Sequence, residues 1–432
     1  MSLFSAALLV LRAVTSQDTP PIPIESALER FGEAEFACRR DGGKLWGRSL
    51  AGPLLFVDPG TRFVVASQPD GEGRLVEREG VFVGELPPAL GPANTALEWA
   101  GVRWTMVMWG ALGGDEHERA RLLVHELFHR VQGELGFPAA SPGNAHLDEL
   151  EGRLWLRAEL RALRAALSAD GEARRAALAD ALSFRAARRA AFPPAAAGEE
   201  IALERNEGMA EYTGLALCGR SAAENAAFLA GRLEAFERRD SFVRSFAYET
   251  GPAFGLLLDD LRVGWRTELS AGRDLASLAA DTLSLPPAKL AEDAEARLER
   301  YGGERLFQEE EARAERRAAR LAELRARFVD GPVLRLPAVN GLDFSFDPNT
   351  VETLGELGNV YPELHVSDAW GVLEVSAGGA LVTPDFSAVI LPAPKEADGT
   401  RVVGDGWSLE LAPGWVFAPT LRAGDHEIRR GP

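Results

Sequence analysis

The chain has 432 residues, 46% of them hydrophobic and 26% charged, an ordinary globular composition with enough apolar material for a sizeable core spread over two or three domains. Its 65 acidic residues against 47 basic ones leave a formal charge of -18, a field that disfavours nucleic acid and anionic lipid as partners. Two cysteines, Cys38 and Cys218, are too few for a disulfide framework or a thiolate metal cluster, and whether they form one bridge stays open.

The N-terminus carries an apolar run, Met1 to Leu11, followed by Arg12 and Ala13 to Gln17. The run is too short to span a bilayer but suits the hydrophobic region of a signal peptide over residues 1–16, although no basic residue precedes it. Export, to the periplasm or outside the cell, is therefore the expectation. A fraying N-terminal helix on a cytoplasmic protein is the alternative. No other segment approaches a membrane-spanning length, so stable membrane insertion is not expected.

After the Pro-rich stretch Thr19 to Pro23, Glu25 to Ala37 reads as a short helix. Four apolar runs then alternate with turn formers: Leu54–Val57, Phe63–Ala66, Gly80–Gly84 and Val102–Met108, broken by Asp58-Pro59-Gly60, Pro69-Asp70-Gly71 and Pro87-Pro88. They predict a small sheet within residues 17–110. From residue 111 to 330 the pattern turns to Ala, Leu, Arg and Glu at helical spacing. Within it, Ala145–Leu167 and Glu172–Phe192 read as a helical hairpin with exposed arginine and glutamate faces, and Lys289–Phe328 as a third long helix with a solvated charge run at Glu309–Arg317. Residues 331–432 shift to Gly, Pro, Val and Trp in short runs such as Gly371–Val375, Ala388–Pro392 and Trp407–Leu411, which predicts a β-sandwich-like domain. The fold class expected is α+β, with a small N-terminal sheet, a mainly helical middle and a β-rich C-terminal domain.

The strongest chemical signal is His125-Glu126-Leu127-Phe128-His129. Residues i and i+4 stack on one helix face, so both imidazoles can bind one Zn2+ ion, while Glu126 beside them can reach a metal-bound water as general base. The alternative is an amphipathic helix with unligated histidines, but the neighbouring Leu122, Leu123, Leu127, Phe128 and Val131 mark a buried helix, where paired histidines need partners. A catalytic zinc takes a third protein ligand. Glu207, in Asn206-Glu207-Gly208-Met209-Ala210-Glu211-Tyr212, is the first candidate, with Glu211 one turn later placed to orient a ligand histidine. Asp148, Glu149 and Glu151, in the segment His146 to Trp155, compete as third ligand. His117 and His146 read as polar surface residues rather than ligands.

This set, with Ala247-Tyr248-Glu249-Thr250-Gly251 opening a further helix, resembles the gluzincin metallopeptidases, distantly those of the aminopeptidase N type. The likeness spans Leu122 to Leu258. It implies Glu207 as the ligand that completes the zinc site, Tyr248 as a hydroxyl donor to the tetrahedral oxyanion, and a peptide or protein as substrate. It also implies that substrate adds as a strand to a sheet edge ahead of the zinc helix, a part Trp99–Trp109 would supply, with a plain core strand as the equal alternative. The chain departs from the pattern in three places, the first being that Asp148, Glu149 and Glu151 stand at the spacing from His129 where the family usually has its glutamate. Glu207 lies 78 residues beyond His129, so the helical hairpin must be an insertion that loops out and returns. No Gly-x-Met-Glu-Asn element precedes the zinc helix, so aminopeptidase specificity is not implied. Zinc-dependent peptide hydrolysis is the reading; a noncatalytic zinc-stabilised binding module, or a zinc hydrolase of another amide or ester, are its rivals. Oligomeric state is not legible.

Overall fold

The computed structural model describes residues 20–286, 289–346 and 350–431, so the signal-peptide expectation over residues 1–16 lies outside the described residues. The chain divides into two compact units, Met1–Glu310 and Glu311–Pro432. The fold is α+β, as expected: a small sheet, a helical middle and a β-rich end. Among the described residues no helix is long and apolar enough to cross a membrane.

The first unit opens with α1 (Ile24–Asp41), stopped where Gly42 takes the left-handed conformation. Strands β1 (Leu54–Val57), β2 (Phe63–Ala66), β3 (Val76–Arg78), β4 (Val81–Glu85), β5 (Thr95–Trp99) and β6 (Val102–Met108) form one sheet in the order β3-β4-β2-β1-β6-β5. Strand β6 pairs with β1 in parallel and with β5 antiparallel. Of the two readings of Trp99–Trp109, the plain core strand holds and the edge is corrected: Val102–Met108 is interior, and β5 is the edge. The reason is the turn at Ala100 and Gly101, both at positive φ, which folds Thr95–Trp99 back onto the outer side of β6 in a tight hairpin. Alternation along the strands buries both faces. Leu54, Phe56, Val65 and Val107 share a core with α1 and the apolar stripe of α2 (Glu116–Val131), while Leu55, Val57, Trp104 and Met106 form a second cluster on the other side.

The helical part follows: α3 (Leu150–Ser168) and α4 (Gly171–Ala191) as the hairpin, α5 (Pro194–Leu203), a π-helical turn over Glu204–Gly208, α6 (Met209–Leu217), α7 (Ala222–Phe236) and α8 (Ala247–Leu261). The short helices α9 (Trp265–Ser270), α10 (Leu275–Thr282) and α11 (Ala294–Leu298) precede α12 (Gly303–Arg325). The single long helix expected over 289–328 is interrupted by Gly302, at φ 96°. Within the expected solvated charge run, Glu310 is buried and binds Arg153 and Arg157.

The charged faces expected to be exposed on the hairpin are partly its core. Arg185 and Arg188 of α4 are fully buried and hold Glu159 of α3, Glu200 of α5 and Glu204 of the π turn. His146, expected at the surface, is buried too, with Nε2 3.0 Å from Glu200 Oε1. Single-helix periodicity cannot see this, because each arginine's partners come from other helices. Buried charges of this kind cost more in desolvation than one pair returns, so every carboxylate here is shared and multiply hydrogen-bonded. Glu204 also accepts from Thr250 Oγ1 at 2.6 Å. The hairpin therefore anchors the turn that carries Glu207, which explains why so long a segment separates Glu207 from the histidines.

Among the described residues of the second unit, thirteen strands from β7 (Val333–Pro337) to β19 (His426–Arg430) form a seven-stranded and a six-stranded sheet. Leu334, Leu336 and Val389 of one and Val366, Leu373 and Leu409 of the other share one core, with Trp370, Trp407 and Trp415, so the two sheets pack as a sandwich.

Candidate metal centre

Helix α2 begins at Asp115, whose carboxylate accepts from the Glu118 N–H at 2.9 Å. Its apolar stripe faces the sheet and α6, which leaves His125 and His129 on the remaining stripe, and their Nε2 atoms lie 3.1 Å apart. Glu207 Oε2 is 3.6 Å from the first and 3.4 Å from the second. Among the described residues, these three form the group of His, Cys, Asp and Glu side chains able to hold a metal ion. An ion bonded at about 2.0–2.1 Å to corners of a tetrahedron keeps its ligand atoms roughly 3.3 Å apart, which these spacings bracket. Two imidazoles and one carboxylate suit zinc or a first-row transition metal better than calcium or magnesium, which prefer oxygen alone.

Each histidine is oriented through its other nitrogen. His125 Nδ1 is 3.1 Å from Glu211 Oε2, and His129 Nδ1 is 2.5 Å from Gln132 Oε1. Both acceptors place the proton on Nδ1 and aim the Nε2 lone pair at the common point. Gln132 in turn donates to Asn206 Oδ1 at 2.8 Å, and Asn206 donates to Glu207 Oε1 at 3.0 Å, closing a ring around the site. Glu211 is buried against Arg121, which donates to both its oxygens at 2.8 Å, and Arg232. Burial favours its neutral form, but His125, Arg232 and Arg121 outweigh that and hold its carboxyl well below the usual range. Glu207 is depressed likewise, against burial, by His125, His129 and Tyr248. For His125 burial is again outweighed, by Glu207 and Glu211, and its pKa is pushed up to about 9, so an entering cation displaces a proton.

Glu126 is buried, and among the described residues its Oε2 has no hydrogen-bond partner. Burial raises its pKa against the pull of His125 and His129, the condition under which a carboxylate becomes a useful base. Tyr248, in the first turn of α8, stacks on His125 with centroids 5.7 Å apart and donates to Glu207 Oε2 at 2.5 Å. Burial, then the Glu207 charge, raises its pKa, so it stays a donor.

Two sequence details bring α8 to the site. A Cβ on Gly251 would stand 2.4 Å from Gly208 Cα, so the π turn and α8 cross backbone to backbone there. Pro252 has no N–H to offer the carbonyl of Tyr248 one turn back, and that carbonyl accepts instead from Arg232 Nη2 at 3.1 Å. Arg232 also reaches Glu249 at 2.7 Å, joining Glu211 to the turn that carries Tyr248.

The competing carboxylates lie elsewhere. Asp148 accepts from Ser241 at 2.9 Å and the Phe242 N–H at 3.3 Å, and Glu149 and Glu151 are exposed. His117 sits half-exposed against the Cys218 carbonyl, 3.0 Å away. Cys38 and Cys218 are both buried free thiols, so no bridge joins them. Sequence reasoning missed Gln132, Asn206, Arg121 and Arg232 as site residues. Gln132, three residues after His129 on one helix face, and Asn206, beside Glu207, carried a positional signal; Arg232 carried none. Comparison with known proteins gave no match to this chain, whether among protein-family models, curated proteins or solved structures.

Proposed function

We propose that this protein is a zinc-dependent peptidase resembling the gluzincins, with His125, His129 and Glu207 holding the ion. The observation that carries the reading is the convergence of three ligand atoms at tetrahedral spacing beside a buried Glu126 whose Oε2 has no hydrogen-bond partner among the described residues. A zinc ion held there would polarise a scissile carbonyl and acidify a water. Glu126 takes a proton from the attacking water and passes it to the leaving amine. The Tyr248 hydroxyl turns from Glu207 to the oxyanion that develops on the carbonyl. Peptide substrate adds to the sheet along β5, the edge strand next to α2, main chain to main chain.

Three protein ligands leave a tetrahedral ion one position for water, which favours catalysis over a purely structural metal. The test is a peptide library read by mass spectrometry, with and without chelator, on the native chain, Glu126→Gln and His129→Ala. Glu126→Gln should keep its metal and lose turnover by about two or more orders of magnitude, while His129→Ala should lose both. Chelator-insensitive cleavage, or full activity in Glu126→Gln, would overturn the proposal.

A further inference from the structure

Away from the metal centre, α3, α7 and the start of α12 enclose a cleft of about 970 Å³ lined by six arginines: Arg157, Arg161, Arg164, Arg238, Arg300 and Arg305. Among the described residues, three carboxylates, Glu234, Glu237 and Glu309, line it with them. In a chain of net charge -18, this is a local inversion of sign.

The carboxylates are oversubscribed. Glu234 serves Arg164 at 3.0 Å and Arg238 at 3.2 Å, and one oxygen of Glu237 serves both Arg157 and Arg161. Arg157 reaches further to Glu309 and Glu310, but Glu310 is shared with Arg153. Arg300 relies on Asp180, which Arg297 and Tyr301 also use. The inner arginines are fixed by these bonds, whereas Arg164, Arg238, Arg300 and Arg305 have side chains 40% to 87% exposed. Exposed guanidinium groups that share their carboxylates around an open space are suited to recognition of oxyanions.

Gly231 of α7 lies on the cleft wall, where a Cβ would meet nothing within 4 Å.

We propose that this cleft binds a small multivalent oxyanion carrying three or more clustered negative charges, a triphosphate or a tricarboxylate. The clustered positive charge draws the ligand into the cleft despite the negative chain as a whole.

Isothermal titration of the full chain at low ionic strength, with tripolyphosphate in one arm and citrate in the other, tests it. Chloride at matched ionic strength serves as control, and His129→Ala is run alongside so that chelation at the metal centre is subtracted. Saturable one-to-one binding is expected, weakened at least tenfold in Arg164→Gln/Arg238→Gln. Glu234→Gln, which frees both arginines, should tighten it severalfold. Binding in one arm alone assigns the ligand to phosphate or carboxylate, and supports the site. Absence of saturable binding in both arms, binding matched by chloride, or unchanged affinity in the double variant overturns it.

Discussion

The crossing of the π turn and α8 gives a prediction whose size follows from geometry. In Gly251→Ala the new Cβ starts 2.4 Å from Gly208 Cα, 2.9 Å from its carbonyl carbon and 3.0 Å from its oxygen. Carbon atoms prefer about 3.5–4.0 Å, so the helices must part by about 1 Å, and the colliding atoms are backbone that cannot rotate away. Overpacking of this kind costs about 1–3 kcal/mol. The upper end applies here, offset by about 1 kcal/mol of helix propensity, which leaves a net loss of about 2 kcal/mol. Gly231→Ala is the control: the same substitution on a helix with nothing in the way should stabilise by about 0.5–1 kcal/mol. Urea unfolding followed by far-ultraviolet circular dichroism measures both. Because α8 carries Tyr248 to Glu207, Gly251→Ala should also weaken metal binding, read by competition with a chelating dye. Equal stability of the two variants would refute the close-crossing argument.

Three further outcomes are expected. Glu211→Gln exchanges the charged carboxylate that orients His125 for a neutral amide and leaves Arg121 and Arg232 short of a counter-charge, so metal affinity should fall about 10–100-fold; dye competition giving an unchanged affinity would contradict this. Glu200 is held well below the ordinary carboxylate range because Arg188 and His146 outweigh its burial. A depressed pKa contributes stability that is present above the unfolded value, about 4.3, and lost as pH falls through the folded one. Glu200→Gln should therefore cost about 3–5 kcal/mol at neutral pH, and the deficit should shrink below pH about 4.3 in unfolding curves taken across pH; a constant deficit would be the wrong result. The Cys38 thiol is pushed up to about 11 by burial, with Asp41 adding to it, so iodoacetamide at mildly alkaline pH should label it only after denaturation, and rapid native labelling by mass spectrometry would contradict its burial.

By itself the sequence determined what rests on local patterning: the spacing of His125 and His129 on one face of α2, the pairing of Glu207 with Glu211 one turn apart, the hairpin joined at Ser168 to Gly171, and the short-strand character of the C-terminal domain. These follow from periods of about 3.6 and 2 residues and from turn chemistry, which neighbours along the chain carry. Tertiary structure alone decided the rest. The Ala100-Gly101 turn made β5 rather than β6 the edge strand, because strand order depends on how a hairpin folds back and not on alternation within a strand. Arg185 and Arg188 went inside because Glu159, Glu200 and Glu204 arrive from three other elements. Glu207, rather than Asp148 or Glu151, reached the histidines because that buried network ties its turn to the hairpin. Such long-range pairings leave no periodic trace, since their partners are neighbours only after folding.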